Sequence, residues 1–108
     1  MKKNKNLNLI VQAIEEKKGK NINTINLIKI LNSPADFFVI CNAQSRPQIN
    51  AIANNIKLKL DVELKKKPWK EEGRDTDWRL LDYGDIIVHV FKDEVREYYN
   101  LDELWSKI

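Results

Sequence analysis

The sequence predicts an α/β (α+β) fold, a mixed β-sheet of about five strands with flanking helices. Three observations predict it. Phe37–Cys41 is a continuous apolar run bounded by polar residues, residues 45–60 carry an apolar stripe at helical spacing, and two β-rich segments flank a tight Tyr83-Gly84-Asp85 turn. The 108 residues, 43% of them hydrophobic, suit a single domain spanning 1–108. A chain of this size buries about two-thirds of its unfolded surface and needs no covalent staple.

The elements follow in order. Leu7, Ile10, Val11 and Ile14 stand at helical spacing, so 7–18 is expected as a helix with Gly19 as its C-cap. Residues 22–30, rich in Ile with Thr24 and Leu27, read as a strand, and Asn32-Ser33-Pro34 as a turn. Phe37–Cys41, apolar on both sides, belongs inside a sheet covered on both faces. Ser45 is placed to cap the second helix and Gln48 to complete a capping box. Ile49, Ile52, Ala53, Ile56 and Leu60 form its core stripe, and Pro47 falls in the first turn. Pro68-Trp69 opens a short strand, and Glu71–Asp75 is a polar loop. Trp78–Asp82 and Ile86–Phe91 make a β-hairpin. Val95–Trp105 reads as helix in one or two pieces, broken near Asn100.

Charge is unevenly spread. Residues 1–30 carry a net +5, 57–70 a net +4 and 71–108 a net −6, against +3 overall. Basic flanks with an acidic end allow contact with phosphate at one place and with a basic protein at another. Asn6, Asn8 and Gln12 interrupt the N-terminal apolar residues, so neither a signal peptide nor a membrane span is expected, and the expected location is the cytoplasm. Cys41, the one cysteine, sits in an apolar run and reads as a small core residue of a reducing compartment.

Converging catalytic groups are scarce. His89, the one histidine, alternates with Ile87 and Phe91 on one strand face, a setting for a structural group rather than a base or ligand. One histidine and one cysteine make a zinc site implausible. Asp75-Thr76-Asp77 has the spacing of a metal-binding pair, but no glycine-rich phosphate cradle precedes it, and it reads as turn and strand entry. No cofactor is expected. The aromatics are more informative. Trp78, Leu80 and Asp82 share one face of their strand, while Arg79, Leu81 and Tyr83 take the other. A tryptophan, a leucine and a carboxylate together suit a protein-binding hot spot, and pattern alone equally allows Trp78 to pack under a helix. RNA readers place aromatics among Lys and Arg; here the aromatics keep company with Asp and Glu, which favours a basic protein partner.

The C-terminal string, Glu72-Gly73, then Trp78-Arg79-Leu80-Leu81-Asp82-Tyr83-Gly84-Asp85-Ile86-Ile87-Val88-His89-Val90-Phe91, then Arg96-Glu97-Tyr98-Tyr99-Asn100-Leu101-Asp102-Glu103-Leu104-Trp105, resembles the ribosomal silencing factor (Iojap) family. Ala35-Asp36-Phe37-Phe38-Val39-Ile40 and Ser45-Arg46 are similar to an upstream family segment. Departures are Asn42-Ala43 where the family often has Thr-Gly, Asn26 in place of an Asp, and one extra residue before Ala35-Asp36.

The resemblance implies a nucleotidyltransferase-like topology without its catalytic site. It implies a repressor of translation under nutrient limitation that docks on the fourteenth protein of the large ribosomal subunit and keeps the small subunit from joining, with no reaction carried out. The implied partner-binding residues are Trp78, Leu80, Asp82, Tyr83 and Gly84, with Glu72, Gly73 and His89 nearby, while Arg96 would anchor the last helix through an internal acid. The lysines at 65–67 are available for ribosomal RNA contacts, and the chain is expected as a monomer or homodimer. The competing classes are a small nucleotidyltransferase using Asp75 and Asp77, and an RNA-binding module using Lys65, Lys66, Lys67 and Lys70.

Overall fold

The structure, a computed structural model, describes residues 4–106. The basic Met1-Lys2-Lys3 start lies outside them. The elements are α1 (Lys5–Glu16), β1 (Lys20–Asn26), β2 (Phe37–Ala43), α2 (Arg46–Leu64), β3 (Lys70–Glu72), β4 (Trp78–Asp82), β5 (Ile86–Lys92), α3 (Asp93–Tyr99) and α4 (Leu101–Ser106). The five strands form one mixed sheet in the order β1-β2-β5-β4-β3. β2 and β5 run parallel, and the other pairs are antiparallel.

Each face of the sheet has its own core. On one, Val39, Cys41, Leu81, Val88 and Val90 pack against Ile10 and Ile14 of α1 and the whole predicted stripe of α2, Ile49 to Leu60. On the other, Phe38, Ile40, Ile87 and Phe91 gather Leu27, Val95, Leu101 and Trp105. Two-sided cover explains why β2 and β5 are apolar almost throughout. Among the described residues no helix is long and apolar enough to cross a membrane.

Local chemistry sets the boundaries. Asn4 caps α1 by accepting from the Leu7 amide at 3.1 Å. The helix stops at Glu16, earlier than expected, and the left-handed residue beyond it is Lys18 (φ 63°), not Gly19. Gly19 answers a different need. A Cβ there would fall 2.3 Å from Ile14 Cγ2, so the glycine lets the chain cross closely over α1. β1 ends at Asn26 rather than 30, because the Asn26 side chain accepts from the Ile28 amide at 2.9 Å and starts a turn. Ser45 caps α2 as expected, accepting from the Gln48 amide. The capping box is displaced by one residue: the Gln48 side chain accepts from the amide of Gln44, and its Nε2 donates to the carbonyls of Lys17 and Lys18, joining the two helices. Asn100, with φ 50°, breaks the C-terminal segment into α3 and α4.

Arg96 fastens these last helices to the sheet. It donates to both oxygens of Asp102 (3.2 and 2.7 Å), to Asn42 Oδ1 at 2.8 Å and to the Asn21 carbonyl. Asn23 donates to Asp102 as well. Burial alone would raise the Asp102 pKa, but the bonds from Arg96 and Asn23 outweigh it and hold the carboxyl below its ordinary range.

Candidate functional site

The hairpin carries the functional candidates, and its register decides what each can do. Trp78 pairs with Phe91, Leu80 with His89 and Asp82 with Ile87, so all six side chains stand on one face. Across the outer strand, Glu72 pairs with Leu80 and Lys70 with Asp82. Helices α3 and α4 lie over β1, β2 and β5. The β4–β3 side of this face keeps Trp78, Leu80 and Asp82 half-buried and Glu72 exposed.

Trp78 is both anchored and accessible. Its ring lies 4.8 Å from Phe91 and 4.7 Å from Tyr99, and its indole N–H donates to His89 Nδ1 at 3.1 Å. Its outer side opens on a shallow groove of about 520 Å³ walled by Val95, Tyr98 and Tyr99 and edged by Asp77 and Glu94. Trp78 thus packs against the core through part of its ring and leaves the rest at the surface.

Asp82 spends one oxygen on the turn, where Oδ1 accepts from the Gly84 amide at 2.8 Å. Gly84 sits at φ +90°, and a Cβ there would fall 2.9 Å from two ring carbons of Trp69. Glycine is needed both for the backbone angle and for the ring above it. Gly73 is tighter still, at φ +79° with a hypothetical Cβ 1.9 Å from the Trp78 carbonyl oxygen.

Two members of the expected set do not present their side chains at this surface. Tyr83 follows the alternation of β4 to the opposite face, packs with the α2 side of the core and is 9% exposed. Burial raises its hydroxyl pKa, and that hydroxyl has no partner among the described residues. His89 is on the right face but beneath it, 4% exposed, with its ring 4.7 Å from Phe38. Burial pulls its pKa down to about 4, so at neutral pH it is an uncharged packing group.

Other sequence candidates are occupied. Asp77 pairs with Arg46 at 2.8 Å and Asp75 accepts from Asn50 at 2.9 Å, so the two carboxylates are held by different side chains of α2. Among the described residues no group of three or more His, Cys, Asp and Glu side chains is arranged to hold a metal ion. Arg79, which sequence reasoning passed over, is 1% exposed; it ties β4 to Glu71 at 2.9 Å and to Asn50 at 3.0 Å. Nothing in the sequence flags that burial except its place between Trp78 and Leu80 in an alternating strand. Trp69, just before β3, is 82% exposed, as is Tyr98 of the groove.

The whole chain, residues 1–108, matches the family model described as ribosomal silencing factor during starvation. It is 39% identical over 103 residues to the ribosomal silencing factor RsfS of Halalkalibacterium halodurans, covering 93% of this chain and 85% of that one. The RsfS of Bacillus subtilis is 37% identical with 93% and 84% covered. A chloroplastic Iojap protein of Arabidopsis thaliana is 38% identical over 72 residues, 65% of this chain and 29% of its own. Among solved structures, a Chromobacterium violaceum protein superposes with a TM-score of 0.87 at 32% identity, covering 98% of this chain and 88% of that one. A Bacillus halodurans protein gives 0.79 at 38% identity, covering 92% and 91%.

Proposed function

We propose, from the premise that the chain belongs to the ribosomal silencing factor family, that it binds the large ribosomal subunit through that subunit's fourteenth protein and so represses translation under nutrient limitation. Bound there, it blocks the small subunit by occupying the surface both would use. The mechanism is exclusion, carried out in the cytoplasm without cofactor, and no bond is made or broken.

One observation carries the reading. Trp78, Leu80 and Asp82 line one sheet face beside the cover of α3 and α4, half-buried rather than enclosed. The apolar pair supplies contact area, and the second oxygen of Asp82, left over from the turn, is available to a Lys or Arg of a basic partner. Gly73 and Gly84 shape the backbone around the patch, Glu72 borders it, His89 supports it from beneath, and Tyr83 anchors the strand end on the opposite face. The nucleotidyltransferase reading has less support, since Asp75 and Asp77 are engaged separately by α2.

The test is co-sedimentation with purified large subunits, using Leu80→Ala combined with Asp82→Asn. Asparagine keeps the acceptor for the Gly84 amide and removes only the charge. Wild type should pellet with the subunits, and the double variant should bind about 30-fold less tightly, equivalent to ~2 kcal/mol. Equal pelleting of the two folded proteins, or no pelleting of wild type, defeats the proposal.

A further inference from the structure

We infer that Trp69 and the lysines before it form a second contact site, which stacks one unpaired RNA base on the indole and holds the adjoining phosphates on Lys65 and Lys66. The inference deepens the ribosome-binding reading and rests on it for the source of the RNA.

Trp69 is 82% exposed in a protein whose two other tryptophans are half-buried. It contributes little to the core, yet its position is defined. Its amide donates to the Asp82 carbonyl at 2.8 Å, continuing the β3–β4 pairing. Its ring lies against Gly84, where any Cβ would collide with it. One part of the ring is thus seated on a bare stretch of backbone and the rest faces solvent, the arrangement of a base-stacking platform.

The surrounding charge favours nucleic acid over a basic protein. Lys65-Lys66-Lys67-Pro68-Trp69-Lys70 is the one place where the sequence embeds an aromatic in lysines. Lys65 and Lys66 have no ion-pair partner among the described residues. Lys67 meets Asp61 at 3.4 Å and Lys70 meets Glu72 at 2.9 Å, both in exposed pairs that phosphate can displace at little cost. Lys65 ends α2 in the left-handed conformation (φ 54°), which turns the chain away from the helix towards Trp69. Lys66, Lys67 and Trp69 share a groove with Tyr83 and Asp85. Asp85 repels phosphate from its side, so the strand's backbone belongs along the lysines and the base over the indole.

The experiment has two arms, with a fluorescently labelled single-stranded oligoadenylate followed by anisotropy and with purified large subunits followed by pelleting. Wild type should bind the oligonucleotide with an affinity that falls steeply as salt rises. Trp69→Leu should lose about tenfold or more, Trp69→Phe should retain most of the binding, and Lys65→Ala with Lys66→Ala should flatten the salt dependence. Leu80→Ala with Asp82→Asn should leave oligonucleotide binding intact, separating this site from the protein-docking face. On subunits, Trp69→Leu should weaken pelleting. Failure of wild type to bind the oligonucleotide, or equal binding by Trp69→Leu, overturns the inference. Weaker pelleting of Trp69→Leu without any oligonucleotide binding by wild type also overturns it, and reassigns Trp69 to a protein contact.

Discussion

Trp78 donates its indole N–H to Nδ1 of His89 across the β4–β5 pair at 3.1 Å, so the half-buried indole and the buried imidazole are one unit. Accepting at Nδ1 fixes the neutral tautomer with its proton on Nε2, a buried atom with no partner among the described residues. Charging this ring inside the fold is therefore costly.

Stability should fall with acid in a window set by His89. Its pKa is about 4 folded and near 6.5 unfolded. Between those values the unfolded chain binds the proton and the native one does not, so stability rises with pH across the window and levels off above it. The full effect is about 3 kcal/mol. Urea unfolding at a series of pH values should show this slope in wild type and a shallower one in His89→Asn, whose side-chain oxygen still accepts from Trp78. Asp102, held below its ordinary value of 3.8, loses its contribution only at lower pH.

Both hairpin-region glycines should resist substitution, and unequally. Gly84→Ala meets a strained φ and the movable ring of Trp69, so a loss of ~1–2 kcal/mol is expected. Gly73→Ala meets backbone atoms that cannot give way and should cost more. In the Trp69→Ala background the Gly84→Ala loss should shrink to its backbone part, a double-mutant cycle readable from urea midpoints.

Removing the partner of a buried cation should cost more than removing an exposed one. Glu71→Ala leaves Arg79, 2% exposed in its side chain, without its carboxylate, and should destabilise by about 3 kcal/mol. Lys70→Ala, which breaks only an exposed pair with Glu72, should change thermal stability by under about 1 kcal/mol.

Arg96→Ala should loosen the C-terminal helices without unfolding the sheet. Arg96 holds Asp102, Asn42 and Asn21 together, whereas α3 contains no buried residue. Amide hydrogen exchange should accelerate over 93–106 and remain slow in β2 and β5.

Cys41 should be unreactive in the native protein. Burial pushes its thiol up to about 12, so little thiolate exists at pH 8. Labelling by a thiol reagent should be slow and should accelerate in step with unfolding by denaturant.

Legibility followed burial. The α2 stripe, the hairpin and the break at Asn100 each leave a periodic or left-handed signature, and each was readable. β3 leaves none: all three of its residues are exposed, so no alternation exists to detect, and a strand opening at Pro68-Trp69 with a loop over Glu71–Asp75 misses its true extent of Lys70–Glu72. The end of β1 was missed because a single Asn26 side-chain bond outweighs the β-propensity of the residues beyond it. The separation of Tyr83 from Trp78 was visible in the alternation, yet the family string groups them by adjacency. Half-burial of Trp78 was beyond pattern, because it depends on where α3 and α4 come to rest.

The short outer strand also governs how the molecule behaves in a crowd. Lys70, Glu71 and Glu72 give this one of the sheet's two edges only charged side chains over three residues. Another backbone approaching that rim must strip water from those charges for a handful of hydrogen bonds, so ribbon growth from copy to copy is discouraged. The β3 edge of the sheet is thus kept closed to strand pairing by a second copy.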